Sequence, residues 1–292
     1  MDNLTLNAAR PLIRLSLAED LGARGDVTTE LFVPRHVRMH GAIVAKQNGV
    51  VCGTKIAELV FKLVDRGCRV SLSKKDGSTV KPGDVVMKVS GGRALLTAER
   101  TALNFLQHMS GVATLTAAYA ARLKGTRAKV YDTRKTLPGW RALDKYAVRC
   151  GGGRNYRVGL YDAVLLKDNH WAGGRDVATG VREARRRYRG ISVELEAADM
   201  DQVRRAAQAG ADIVLLDNMT PARLREAIGW LRAHAPRTEI EVSGGVSLET
   251  IRKIGALGPD RISVGRVTHS APALDLSLEI APVTPADRRR TR

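Results

Sequence analysis

After residue 125 the chain repeats one unit: a short apolar run, a polar or glycine-bearing end, then an Ala- and Arg-rich helical stretch. The runs fall at 128–131, 162–167, 191–196, 212–216, 238–243 and 261–265. Strands alternating with helices at this spacing form a parallel sheet, because a crossover helix returns the chain to the end where each strand begins. The residues just past each strand decide between an open and a closed sheet. In order the ends read Asp132-Thr133-Arg134-Lys135, Lys167-Asp168-Asn169, Glu196, Asp217-Asn218, Ser243-Gly244-Gly245 and Gly265-Arg266. A doubly wound sheet gathers its chemistry at one crevice, whereas a barrel spreads it over all its strand ends. The spread here predicts an α/β barrel.

Residues before 125 follow other periods. Leu6, Ala9, Ile13, Leu17 and Leu21 predict an amphipathic helix over 5–21, with Pro11 setting the start of its regular part and Gly22, Gly25 and Asp26 ending it. From 38 to 90 short segments such as Ile43-Val44-Ala45 and Val85-Val86-Met87 are punctuated by Gly and Pro, as in a small β-rich unit, with a helix at about 55–64. A long helix is expected over 98–123, with Leu103, Leu106, Ala113, Leu115 and Ala118 inward and a break near Ser110-Gly111.

Composition narrows the function. No apolar run approaches the ~18 residues that span a bilayer, and Met1-Asp2-Asn3-Leu4-Thr5 lacks the layout of a signal peptide. Cys52, Cys68 and Cys150 are odd in number and lack metal-ligand spacing, which fits inert thiols in a reducing cytoplasm. The net charge of +18 calls for anionic partners. Arg182, Arg185, Arg186, Arg187 and Arg189 read as a solvated helix face, and Arg288 to Arg292 as a basic tail. Aromatic residues are 4% of the chain, too few for base-stacking platforms. Anionic metabolites therefore outrank nucleic acid.

Four cations, Arg134, Lys135, Arg157 and Lys167, stand at or near strand ends, describing a mouth for something small and heavily anionic. Ser243-Gly244-Gly245 and Gly265 look like a phosphate cradle, because glycine lets backbone N–H groups approach an oxyanion. Glu196 and Asp217 end adjacent strands: they either hold Mg²⁺, which takes few carboxylates plus substrate oxygens and water, or neutralise Lys135 and Lys167. Glu194 shares the face of Glu196, which is preferred only because it lies at the strand end. His108, His170 and His269 have no metal spacing and read as structural; Trp140 and Trp171 read as packing.

Several longer motifs resemble one family. Asp132-Thr133-Arg134-Lys135-Thr136-Leu137-Pro138-Gly139, Lys145-Tyr146-Ala147-Val148, Gly151-Gly152-Gly153, Lys167-Asp168-Asn169-His170, Leu216-Asp217-Asn218 and Thr268-His269-Ser270-Ala271-Pro272 are similar to quinolinate phosphoribosyltransferase, the carboxylating nicotinate-nucleotide pyrophosphorylase. The similarity runs from Glu19 to Leu276. It implies a small N-terminal α/β sandwich over 1–110, rejoined by 271–285, then an incomplete α/β barrel over 111–270, leaving 286–292 as the tail. It implies a homodimer or dimer-based oligomer in the cytoplasm, with Arg100 acting in the partner's site. The implied reaction joins quinolinate to phosphoribosyl pyrophosphate (PRPP), releasing pyrophosphate and CO₂ and leaving nicotinate mononucleotide. Lys135, Glu196 and Asp217 would be catalytic, the two carboxylates through Mg²⁺. Arg100, Arg134, Lys135, Arg157 and Lys167 would hold substrate, with Ser243, Gly244, Gly245 and Gly265 on phosphate.

One residue departs from the pattern: Tyr156 stands where the family usually has His. Tyr donates one hydrogen bond but carries no positive charge, so a cationic contact is lost, with Arg154 adjacent to compensate. The departure bears on which acid is bound. Transfer to a different pyridine or aromatic acid, as in molybdenum-associated relatives, is the alternative. A catalytically idle basic binding protein is disfavoured because Lys135, Glu196 and Asp217 are all present.

Overall fold

The computed structural model describes residues 1–171 and 176–282, so the tail at 286–292 and residues 283–285 of the returning segment lie outside it. The chain divides into two units. One takes Met1–Leu115, Leu137–Gly151 and the residues from Ser270 onward; the other takes Thr116–Thr136 and Gly152–His269.

Elements are numbered along the chain. Asp2 caps α1 (Asn3–Leu21) by accepting from Thr5 N at 2.8 Å. That cap, with Ala9 and Ile13 fully buried, starts the helix well before Pro11, correcting the expected start. After α2 (Val27–Phe32), strands β1 (Met39–Ala45), β3 (Arg69–Leu72), β5 (Val85–Gly91) and β12 (Leu276–Pro282) form an antiparallel sheet in the order β12-β1-β5-β3. The short β2 (Gly49–Val50) and β4 (Thr79–Val80) pair separately, and α3 (Thr54–Val64) buries Ile56, Ala57, Val60 and Phe61.

Helix α4 (Ala94–Arg122) runs unbroken for 29 residues, so Ser110-Gly111 does not interrupt it. Gly111 serves a close approach instead. A Cβ there would overlap the carbonyl of Pro272 and lie 3.0 Å from Ala273 Cα. The first unit runs to Leu115, inside α4. Residues 137–151 also leave the barrel for the first unit. Their helix α5 (Arg141–Cys150) buries Leu143, Ala147 and Val148, stacks Trp140 on Phe105 at 4.7 Å and pairs Arg149 with Asp2 at 2.8 Å. Apolar burial draws it there.

In the second unit β6 (Lys129–Tyr131), β7 (Ala163–Leu166), β8 (Ser192–Ala197), β9 (Ile213–Asp217), β10 (Glu239–Ser243) and β11 (Arg261–Ser263) form a parallel sheet in the order β6-β11-β10-β9-β8-β7. From β7 to β11 each strand lies beside its predecessor without reversal, the winding of a barrel rather than a doubly wound sheet. Strands β6 and β7 are the two edges, so the barrel is incomplete. Strand period two assigns the faces. Val193, Leu195, Val214, Leu216, Ile240 and Val242 join one apolar cluster with residues of α7 (Val177–Arg187), α8 (Met200–Gln208) and α9 (Pro221–His234). Residues between them face the other way. Two one-turn helices, α6 (Asp168–Trp171) and α11 (Arg266–His269), follow β7 and β11, and α10 (Ile251–Gly255) follows β10. No helix among the described residues is long and apolar enough to cross a membrane.

Gly111→Ala should lower stability by roughly 1–3 kcal/mol, because backbone at Pro272 yields less readily than a side chain. The readout is the thermal midpoint. An unchanged midpoint would mean that the contact relaxes freely.

Candidate active site

The inward faces of the parallel strands line a cavity of about 610 Å³. Strand β8 presents Glu194 and Glu196, β9 Leu215 and Asp217, β10 Glu241 and Ser243, and β11 Ser263. Arg134, Lys135, Arg157 and Lys167 line the same cavity from loops, as do Tyr156, Gly244 and Gly245. The structure thus brings the predicted cations, carboxylates and glycines to one place. Gly265 sits behind Lys135: a Cβ there would meet Lys135 Cδ at 3.0 Å, so glycine leaves room for the lysine stem. Arg100 belongs to the first unit, exposed on α4.

Each loop is anchored. Asp132, 1% exposed, accepts from Asn155 Nδ2 (2.6 Å) and Tyr156 N (3.0 Å), fixing the segment that carries Tyr156 and Arg157. Arg154 N donates to Val130 O (2.8 Å), which draws that segment along the β6 edge. Thr133 Oγ1 accepts from Lys135 N (3.0 Å), and the Thr268 hydroxyl donates to Lys135 O (2.7 Å). His170 Nδ1 accepts from Lys167 N (2.9 Å), a structural role for that histidine. Trp171 donates to Glu196 O (2.9 Å), and His108 binds Asp144 Oδ1 (2.7 Å).

In the turn after β10, Gly244 and Gly245 both have positive φ, and Asn218 is the one non-glycine residue with positive φ (52°) among those described. A Cβ on Gly244 would strike the Asn218 side chain and come within 2.8 Å of its backbone nitrogen. Glycine is therefore required by space as well as by φ.

Charge balances across the cavity. Lys167 Nζ lies 2.8 Å from Glu196 Oε2, so one cation and one carboxylate already pair. Deeper in, Glu194 is 0% and Glu241 2% exposed. Burial, then the neighbouring Glu241 carboxylate, pushes Glu194 well above the carboxylate range. Burial also raises Glu241 to about 7, although the Ser263 hydroxyl donates to it. The Tyr156 hydroxyl is held protonated by burial and then by Glu194. Its ring carries the Arg261 guanidinium at 5.1 Å, and the same guanidinium lies 4.7 Å from the Tyr131 ring and pairs with Glu239.

Residues 26–110 match the model of the quinolinate phosphoribosyl transferase N-terminal domain, and 112–279 that of its C-terminal domain. The chain belongs to the quinolinate phosphoribosyl transferase family. It is 40% identical to a nicotinate-nucleotide pyrophosphorylase [carboxylating] of Mycobacterium leprae, over 96% of this chain and all of that one. The solved nicotinate-nucleotide pyrophosphorylase of Francisella tularensis superposes with a TM-score of 0.88 at 36% identity, covering 94% of this chain and 96% of that one. NadC of Streptococcus pyogenes gives 0.90 at 38% identity, covering 97% of this chain and 100% of that one. The chain is therefore a phosphoribosyltransferase by family.

Sequence reading weighed Glu194 against Glu196 and set it aside, and it did not single out Glu241 or Ser263 for this cavity. The signal was present: Glu194-Leu195-Glu196 and Glu239-Ile240-Glu241-Val242 alternate charge with apolar side chains inside buried strands.

Glu241 makes a pH prediction. Its folded pKa of about 7 exceeds the unfolded 4.5, so its contribution to stability is full below the unfolded value and is lost as pH rises through 7. Glu241→Gln should remove this dependence while keeping an acceptor for Ser263. Thermal midpoints of the two proteins, at about pH 5 and about pH 8, should diverge in the variant's favour at the higher pH. A constant difference would show that Glu241 does not titrate there.

Proposed function

We propose that the chain transfers the phosphoribosyl group of PRPP to the ring nitrogen of quinolinate and decarboxylates the adduct to nicotinate mononucleotide. The observation that carries this is a single cavity with Arg134, Lys135, Arg157 and Lys167 around carboxylates and a glycine turn. Quinolinate brings two carboxylates and PRPP several phosphate charges, so the acceptor and donor together need more cations than a neutral substrate would.

Arg134 and Arg157 grip substrate carboxylates, where the planar guanidinium matches a carboxylate with two parallel bonds. Lys167, half-exposed beside Glu196, adds a mobile charge that substrate can share. Ser243, Gly244 and Gly245 offer backbone N–H groups to phosphate. Lys135, whose backbone Thr268 pins, points its charge between donor and acceptor. As the ribose–pyrophosphate C–O bond breaks, positive charge grows on the ribose, and Glu196 and Asp217 stabilise it. The ring nitrogen then bonds to that carbon. The resulting cationic ring accepts the electron pair left when the adjacent C–CO₂ bond breaks, and a proton takes the place of CO₂.

Glu196 and Asp217 suit Mg²⁺. They are hard oxygen donors on adjacent strands, facing a cavity where phosphate and water can complete the shell, and Mg²⁺ prefers few protein carboxylates. Bound there, the ion would neutralise pyrophosphate as it departs. We further propose a cytoplasmic homodimer whose sites each receive Arg100 from the partner chain.

The test is pyrophosphate release by purified protein with Mg²⁺ and PRPP, offered a panel of pyridine carboxylates. Quinolinate should support release, and chelation should abolish it. Release with nicotinate but not quinolinate would overturn the assignment. Tyr156→His should lower KM for quinolinate by the equivalent of about 1–2 kcal/mol, since imidazolium adds one charge-assisted bond to a dianion. A raised KM would mean that the tyrosine, braced by Arg261, suits this acid better. Mixing inactive Arg100→Ala with inactive Lys135→Ala subunits should restore part of the activity through one intact hybrid site. No recovery despite demonstrated subunit exchange would place the site within one chain.

A further inference from the structure

Away from the cavity, the first unit gathers two sulfurs and a carboxylate. Cys52 Sγ, Cys150 Sγ and an oxygen of Asp76 all lie within 4.8 Å of one another. The carboxylate is already engaged. Asp76 Oδ1 accepts from Gly53 N (3.1 Å), Thr54 N (3.0 Å) and the Thr54 hydroxyl (2.7 Å), which caps α3, and Oδ2 accepts from the Tyr146 hydroxyl (2.8 Å). Three of these bonds crowd Oδ1 and one takes Oδ2, so most of the acceptor capacity of the carboxylate is used. A metal ion would have only the remaining position on Oδ2, whereas the two thiols lie next to each other.

The two sulfurs differ. Cys52 is 0% exposed, and its backbone is held from both sides by Ser110, which accepts from Cys52 N (2.9 Å) and donates to Cys52 O (3.2 Å). Cys150 ends α5 and is partly exposed. Hydrogen bonding from Cys52, then from Tyr146, draws the Cys150 thiol below its ordinary pKa, while burial raises Cys52. The more readily ionised thiol is therefore that of the less buried residue, Cys150.

We propose that Cys52 and Cys150 are an oxidation site, converted by a peroxide-class oxidant into an intramolecular disulfide. The Cys150 sulfur attacks one peroxide oxygen; the S–O bond forms, the O–O bond breaks, and one water leaves, giving the sulfenic acid. The Cys52 sulfur then attacks that sulfur; the S–S bond forms, the S–O bond breaks, and the Cys52 proton leaves with the hydroxyl as a second water. Two thiols are oxidised and one peroxide is reduced to two waters. The bond would tie the residue preceding the N-cap of α3 to the end of α5, where the chain continues into Gly151-Gly152-Gly153 and on to Tyr156 and Arg157.

Reduced full-length protein, treated with stoichiometric hydrogen peroxide and a chelator, should lose two of its three free thiols and about 2 Da, reversibly with dithiothreitol. Non-reducing peptide mapping should recover a Cys52–Cys150 cross-link and leave Cys68 as thiol. In Cys52→Ser treated with excess peroxide, Cys150 should pass to sulfinic and sulfonic acids, having lost its resolving partner. In Cys150→Ser, Cys52 should resist peroxide. Should Cys52→Ser fail to fold, the wild-type map and Cys150→Ser still decide. Three outcomes overturn the proposal: Cys150 overoxidised in wild type beside an intact Cys52 thiol, cross-links between chains only, or purified protein holding one equivalent of zinc that shields both thiols.

Discussion

Carboxylates inside a parallel barrel are the constraint on which this structure turns. A buried carboxylate loses its hydration and must regain it from cations, hydrogen bonds or a proton. Here the strands β8 to β10 put aliphatic side chains under the helices and acids on the opposite face. The acids near the mouth meet lysine and arginine: Glu196 pairs with Lys167. The deeper ones, Glu194 and Glu241, are shifted upward by burial, although Arg261 and hydrogen bonds from Tyr156 and Ser263 oppose the shift. Upward-shifted acids at the floor carry less negative charge than acids in water would, which lessens their repulsion of an anion.

Positioning depends on a second layer that touches no ligand. Asp132 fixes the segment bearing Tyr156 and Arg157, Thr268 fixes Lys135, and Asn218 accepts a left-handed backbone against Gly244. Electrostatic stabilisation works only when charges are held before the reaction asks for them, because reorganisation would consume the gain. Strand ends closed by buried anchors satisfy that requirement more firmly than free loops do.

Much of this was legible in the sequence. The polar ends of the apolar runs gave the barrel and most of its rim, because strand ends sit where period and composition both change. The interior acids were harder: Glu241 lies mid-strand, and only the alternation of Glu239-Ile240-Glu241-Val242 marks its face. Where α5 packs was not legible, because its amphipathic pattern shows that it must be buried but not against what. At Gly111 a glycine inside a helix reads as a break, and its reason, the Pro272 carbonyl, lies far along the chain. The loss of a cation at Tyr156 was legible, whereas Arg261 over its ring was not, since the two are distant in sequence.

The register of β1 with β12 has a consequence for biosynthesis. Met39 faces Pro282 and Ala45 faces Leu276, so one border of the first sheet is supplied by residues made after the entire barrel. On the ribosome, β1 must wait with that border's N–H and C=O groups unpaired while more than two hundred further residues emerge. All the described strands of the barrel are made before β12, so the first unit is the last to be completed. Nascent chains of this protein therefore expose a sticky strand through most of their synthesis, and its protection falls to chaperones or to speed of elongation rather than to the fold itself.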